Sequence, residues 1–284
     1  MILIDLIGGL GNQLFLIYCG MAYAINHKIG FKINKYKKDM VSPIDNMSLR
    51  PTYWENLFEN LISFTEDLNN KNYPAYIEKT AYKYDIIPRI EINFKLIGYY
   101  QSYKYFEDEF ERINKLIKIN EKKEKIMEEY INYFADNNKK PISLHFRIGD
   151  FKKNPRMDIV LDINYYLNAI KFLKNKFPNL ENTHYIFCFG EKVDNETIEM
   201  NINILKNEYK NLDFIICDYN IPDWKQLLLM SLCQYNIIAN STFSWWGAYY
   251  NNSINREICY PFIWNKLYLH MDDLFPHTWN KIVF

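Results

Sequence analysis

From residue 140 onward the chain alternates short apolar runs with amphipathic ones, and this alternation limits the available folds more than any other feature. Residues 142–146, 183–189, 212–217, 236–239 and 257–260 have the length and the β-branched and aromatic content of buried strands. Between them, 164–176, 194–209 and 223–235 carry apolar residues at helical spacing, and Pro178 closes the first of these. A fourth helix runs to Tyr250 from Ser241 or Thr242, either of which can cap it. Strands joined through helices run parallel, because a parallel pair needs a long crossover. The expected class is α/β, a parallel sheet with helices on both faces.

The first half opens in the same way. Residues 1–7 read as a strand, Gly8-Gly9-Leu10-Gly11 as a tight turn, 12–26 as a helix and 29–33 as a second strand. The stretch 35–93 is less regular, with a helix expected over 54–64 and loops with short strands over 69–84. Residues 94–100 read as a strand, and 104–118 and 121–135 as helices with charged outer faces. The polar stretch 136–140 before Pro141 gives the domain boundary, so two domains are expected, 1–139 and 140–284.

Several function classes fall away. Lys plus Arg equals Asp plus Glu, 34 each, so no basic field invites nucleic acid. Five cysteines with no C-x-x-C read as buried thiols of a reducing compartment, which implies a cytoplasmic location, with peripheral attachment to a membrane left open. Residues 1–25 are apolar, but Asp5, Asn12, Gln13 and the glycines interrupt them, so neither an integral membrane segment nor a signal is expected. No D-x-D, no G-x-S-x-G and no ligand spacing among the five histidines is present, so no metal, no cofactor and no covalent hydrolase chemistry is expected.

Three strand-to-helix or strand-to-loop stretches carry the chemistry. Gly8-Gly9-Leu10-Gly11-Asn12-Gln13 lets backbone amides approach a ligand, and its two amide side chains suit sugar hydroxyls or phosphate. It fails as a dinucleotide fingerprint, since Leu14 stands where the third glycine belongs, and taken alone it is equally a tight turn. His145-Phe146-Arg147-Ile148-Gly149-Asp150-Phe151 ends a buried strand, where Arg147 offers a fork of donors suited to a diphosphate. The plainer reading is a core histidine beside an internal pair of Arg147 with Asp150. Asn240-Ser241-Thr242-Phe243-Ser244-Trp245-Trp246-Gly247 begins a helix, so its hydroxyls are first a cap and secondly an anion site, and its tryptophans are core anchors.

In this order the three stretches resemble those of the alpha-1,2-fucosyltransferases of glycosyltransferase family 11. Gly98-Tyr99-Tyr100-Gln101-Ser102-Tyr103-Lys104-Tyr105-Phe106 and Asp273-Leu274-Phe275-Pro276-His277-Thr278-Trp279 extend the likeness over nearly the whole chain. The resemblance implies a GT-B-like fold of two Rossmann-like domains, the first facing the acceptor and the second binding the nucleotide-sugar. It implies inverting, metal-independent transfer of L-fucose from GDP-fucose to the 2-hydroxyl of a glycan, expected to be a galactosyl one. It places Arg147 on the diphosphate, His145 at the nucleotide, and Asn240, Ser241, Thr242, Phe243 and Ser244 around the phosphates. Asn12 faces the transferred sugar and the acceptor. Asp150 and Asp5 are candidate bases by position.

Two positions depart from the family pattern. Ile148 stands where a second arginine is usual, and Gln226 stands where an acidic residue accepts from guanine. Gln226 keeps an acceptor oxygen but loses the charge. Another nucleotide-deoxysugar donor, or an inert glycan- or nucleotide-binding module, therefore stays open beside the fucosyl reading.

Overall fold

The computed structural model describes residues 1–35, 39–41, 49–68, 72–135, 139–153, 159–268 and 271–284. The chain divides into two compact units, Met1–Lys122 with His270–Pro276, and Lys123–Leu269 with His277–Phe284.

The first unit is built on β1 (Ile2–Ile4), β2 (Phe31–Asn34), β5 (Thr65–Glu66), β6 (Ala75–Ile77) and β7 (Phe94–Ile97). Their order is β5-β2-β1-β7-β6, and every pairing is parallel. β3 (Asp39–Val41) and β4 (Leu49–Pro51) pair antiparallel as a separate two-stranded ribbon. Helix α1 (Leu10–His27) joins β1 to β2, and it is buried almost all round. That explains its membrane-like composition, since a helix covered on every side needs no polar face. Its Phe15 and Tyr18 rings lie 6.0 and 5.4 Å from Phe106, and Tyr18 donates to Asn114 Oδ1 (2.5 Å) on α2 (Phe110–Ile117). Among the described residues no helix is long and apolar enough to cross a membrane.

The helix expected over 54–64 is reduced to a 3-10 segment, Glu59–Phe64. The Asn56 side chain accepts from the Leu57 amide (2.7 Å), a local bond that competes with helix initiation. Likewise the region 104–118 breaks into short 3-10 turns before α2, because its residues are drawn to a distant partner. Lys104 pairs with Asp273, Ser102 Oγ donates to the Asp273 carbonyl (2.5 Å), and the Tyr84 amide donates to the Asp273 carboxylate (2.9 Å). The Gly98–Phe106 and Asp273–Trp279 stretches thus meet at Asp273, and the chain returns to the first unit for this short passage.

The second unit holds β8 (Lys140–His145), β9 (His184–Phe189), β10 (Asp213–Ile216), β11 (Tyr235–Ile237), β12 (Ile258–Pro261) and β13 (Asn280–Ile282). The order is β10-β9-β8-β11-β12-β13, again parallel throughout. The expected α/β class with parallel sheets is what forms. β13 is an added edge strand. Helices α4 (Ile163–Lys176), α6 (Asn195–Glu208), α7 (Asp223–Ser231) and α8 (Thr242–Tyr249) follow their strands, with a single turn, α5 (Leu180–Thr183), before β9. α7 stops at Ser231 and not at 235, because Tyr235 enters β11 opposite Ile142.

The division falls inside α3 (Ile119–Glu129), between Lys122 and Lys123, and not in the polar stretch 136–140, of which 136–138 lie outside the described residues. Adjacent lysines are anchored in different units. Lys122 Nζ donates to Glu59 (2.5 Å), whereas Lys123 Nζ donates to the Tyr250 carbonyl (2.8 Å) and to Asn252 (3.1 Å). Beyond them, Glu129 pairs with Lys225 (2.6 Å) and the Tyr133 carbonyl accepts from Tyr185, so 123–134 belongs with the second sheet.

Candidate active site

In the second sheet the strand order reverses between β8 and β11, and the crevice beyond the carboxyl ends of two such strands is where open parallel sheets bind ligands. β8 delivers His145 there, and β11 delivers Asn240 and the start of α8. His145 is buried, 6% exposed, with its ring 5.6 Å from that of Phe243. Burial first, and the Arg147 charge second, depress its pKa from 6.5 to about 3, so the imidazole is neutral at physiological pH. Its Nδ1 has no hydrogen-bond partner among the described residues.

Two residues further on, the Arg147 side chain is 19% exposed. Its guanidinium carbon lies 5.1 Å from the centre of the Phe151 ring, and its Nη1 donates to the carboxylate of Glu191. The Asp150 side chain lies outside the described residues, so the expected internal pair with Arg147 is not described, and Glu191 is one partner of the guanidinium. Strand register explains the pair. His145 stands opposite Phe189 on the parallel strand β9, so the residues two beyond each emerge side by side. The sequence held this signal, a Gly190-Glu191 ending beside an Arg147 ending, but reading it requires knowing that β8 and β9 are neighbours.

Ile148 takes no part in a clamp. It is 4% exposed and packs in the core with Phe146, Leu161 and Ile198. The site where a second arginine is usual is here a packing position. Gly149 donates its amide to Asp194 (2.7 Å) at the start of α6, which fixes the loop after Arg147.

Ser241 is the N-cap of α8, its Oγ accepting from the Phe243 amide (3.3 Å). Ser244 is buried and donates inward to the Ala239 and Ser241 carbonyls (3.4 and 3.3 Å). Asn240 donates both amide hydrogens to the carbonyls of Ile159 (2.9 Å) and Trp264 (3.1 Å), which leaves its buried Oδ1 without a partner among the described residues. Thr242 and Phe243 stand in the first turn, half-buried. Beneath them Trp245 and Trp246 are fully buried, as anchors. Gly247 lets α8 approach α7, since a Cβ there would lie 2.8 Å from that of Met230.

Gln226 stands on α7. Its Nε2 donates to the Ile221 carbonyl (2.8 Å). Because a carbonyl can only accept, this bond fixes the amide orientation and leaves Oε1 as the atom it presents elsewhere.

In the first unit, Gly8 adopts φ +74°, and a Cβ there would lie 2.6 Å from Asn12 Nδ2. Asn12 Oδ1 accepts from Gln101 (2.9 Å). Gln13 is wholly buried and donates to the Gly8 and Pro51 carbonyls (3.0 Å each), a loop support more than a ligand group. Asp5 at the end of β1 accepts from the buried Asn34 (2.9 Å). Asn12 and Asp5 thus lie in one unit, and His145, Arg147, Asp150, Gln226 and residues 240–244 in the other.

A cavity of about 580 Å³, lined by Tyr133, Lys139, Tyr185, Lys206 and Lys210, opens where β9 and β10 begin. That is the amino end of the sheet, opposite the strand ends that carry Arg147. Among the described residues no group of three or more His, Cys, Asp or Glu is arranged to hold a metal ion. All five cysteines are buried and unpaired.

Known proteins match along most of the chain. The model of Glycosyl transferase family 11 matches residues 33–282. The O-antigen biosynthesis glycosyltransferase WbnK of Escherichia coli is 25% identical, over 93% of this chain and 96% of its own. An alpha-1,2-colitosyltransferase of the same organism is 27% identical, over 98% of this chain and 97% of its own. Among solved structures, the fucosyltransferase NodZ from Bradyrhizobium superposes with a TM-score of 0.48 at 13% identity, covering 87% of this chain and 92% of that one.

Proposed function

We infer the activity from a premise the family match supplies: this chain belongs to glycosyl transferase family 11, and we propose that the sugar it transfers is L-fucose. GDP-fucose is the donor, and the acceptor is the 2-hydroxyl of a glycan, galactosyl in the simplest case. The observation that carries this reading is the position of Arg147, a largely buried cation two residues beyond β8, the strand from which the order reverses and whose last residue, His145, faces Phe243 of α8.

The chemistry then divides as follows. The bond between the anomeric carbon and the β-phosphate oxygen breaks, and its electron pair leaves with GDP. Charge accumulates on that phosphate while the sugar becomes oxocarbenium-like. Arg147 and the first-turn amides of α8 stabilise the departing charge, and losing one such contact typically costs ~3 kcal/mol of barrier. His145, neutral at physiological pH, contacts the nucleotide as a hydrogen-bonding group and not as a charge. The acceptor hydroxyl attacks the opposite face, which inverts the anomeric centre, and gives its proton to a carboxylate, for which Asp150 and Asp5 are the candidates. Asn12 orients the sugar and acceptor. A D-x-D pair is missing from the sequence, and this reading needs neither a metal nor a bound cofactor.

GDP release from GDP-fucose, measured over a panel of glycan acceptors, tests the reading. Wild type turns over, a chelator leaves the rate unchanged, and Arg147→Ala loses at least ~100-fold with its fold intact. A wild-type protein that releases no GDP with any acceptor contradicts it.

A second reading has its own support. Gln226 lacks the charge that pairs with guanine, and one relative is named for transferring colitose, a sugar other than fucose. Another nucleotide-deoxysugar donor follows from that. Titrating GDP, UDP and TDP tests the base, and turnover of different nucleotide-deoxysugars tests the sugar. Preference for a nucleotide other than GDP, or for a deoxysugar other than fucose, replaces the fucosyl reading.

A further inference from the structure

We propose that Glu191 is an internal placeholder for the donor diphosphate: its carboxylate occupies the anion position of Arg147 and must be displaced before the donor binds. The proposal rests on the reading of Arg147 as the diphosphate ligand and adds a residue that sets how readily it is taken.

The two partners differ in a telling way. The Arg147 side chain is 19% exposed, whereas that of Glu191 is 50% exposed. A guanidinium held this far from water needs an anion, because an uncompensated cation there is strongly disfavoured. Its position is also fixed from a second side, with Phe151 against the guanidinium. Glu191 needs no partner, since half of its side chain already faces solvent. The carboxylate is the exchangeable member, the more exposed of the two.

Glu191 is placed for exchange. It follows β9 directly, on the short loop before the 3-10 turn Lys192–Asp194, and its other oxygen lies over Gly149. A Cβ on Gly149 would come within 3.0 Å of that oxygen, so the glycine leaves the room in which the carboxylate rests. The loop beneath stays in place without Glu191, because the Gly149 amide is held by the buried Asp194. Moving one carboxylate therefore opens Nη1 of the arginine to another anion without dismantling the turn.

A placeholder and an orienting partner predict opposite signs. If Glu191 competes with the diphosphate, Glu191→Gln binds the ligand more tightly, while the ligand-free protein loses stability because Arg147 has lost the Glu191 charge. If Glu191 instead orients Arg147, removing it weakens binding. The competing carboxylate also favours a diphosphate over a monophosphate, since a single phosphate displaces it less effectively.

The test is calorimetric titration of inorganic pyrophosphate, GDP and GMP into wild type, Glu191→Gln and Glu191→Ala, with thermal denaturation of each variant with and without ligand. Both variants are expected to bind pyrophosphate and GDP roughly two- to fivefold more tightly, the scale of a half-exposed ion pair. They melt lower than wild type alone, gain more from ligand, and discriminate less between GDP and GMP. Unchanged or weaker binding in Glu191→Gln overturns the placeholder. Pyrophosphate carries no base, so a wrong nucleotide preference does not affect this outcome. If wild type takes pyrophosphate but prefers a nucleotide other than GDP, only the fucosyl reading fails. If wild type binds neither, both fail.

Discussion

His145 shows how a single side chain can lose its usual chemistry. A histidine at a strand end beside an arginine invites a role in proton transfer, but burial and the neighbouring cation bring its pKa down to about 3. Unfolded, it titrates near 6.5, so between about pH 6.5 and 3 the unfolded chain binds a proton that the folded chain does not. Stability from this residue is complete above pH 6.5 and is lost as the pH falls, by up to ~1.4 kcal/mol per pH unit. Urea denaturation of wild type and His145→Asn at pH 7 and pH 5 checks it, and the variant should lose less stability over that step. The pH profile of turnover should carry no limb from this residue between pH 5 and 8. The place of Arg147 just beyond a buried strand was legible from sequence, because it follows an apolar run directly. Ile148 and Glu191 were not. One is identified as core only by its neighbours, and the other becomes relevant only once β8 and β9 are paired.

At the scale of elements, α8 supports the site because it is pressed against α7 at Gly247. A side chain there meets the Met230 Cβ at 2.8 Å, too close for either helix to remain in place. Gly247→Val should cost ~1–3 kcal/mol of stability and push the α8 amides away from the strand end, weakening GDP binding as well. Thermal melting and nucleotide titration of the same preparation check this, and lowered stability with unchanged affinity would uncouple α8 from the ligand. Strands β8, β9, β11 and β12 were readable because they are buried on both faces and read as near-unbroken apolar runs, and the half-exposed edge strand β10 still carries Phe214-Ile215-Ile216. The region 50–93 was not, since strands of two or three residues and 3-10 turns have no period to detect. β13 escaped because its Asn-Lys-Ile alternation is that of an edge and lacks a buried run.

For the whole molecule, two parallel sheets each reverse their strand order beside a candidate site loop, the glycine turn after β1 and the His145–Arg147 turn after β8. The border between the two compact units leaves little trace in the sequence. It lies within α3, where consecutive lysines take partners in different units, and a short C-terminal passage around Asp273 returns to the first unit through contacts made far along the chain. Such long-range pairing leaves no local signal. The function proposed for the second unit rests on Arg147 as the anion-binding cation of the strand-order reversal. Calorimetric titration of GDP into wild type and into Arg147→Ala, at equal folded fraction, is the most direct measurement of that. Wild type should bind, and the variant should bind at least ~10-fold more weakly, as expected for removing a charged hydrogen-bond donor. Equal affinity in the two proteins would place the nucleotide away from Arg147 and contradict the assignment.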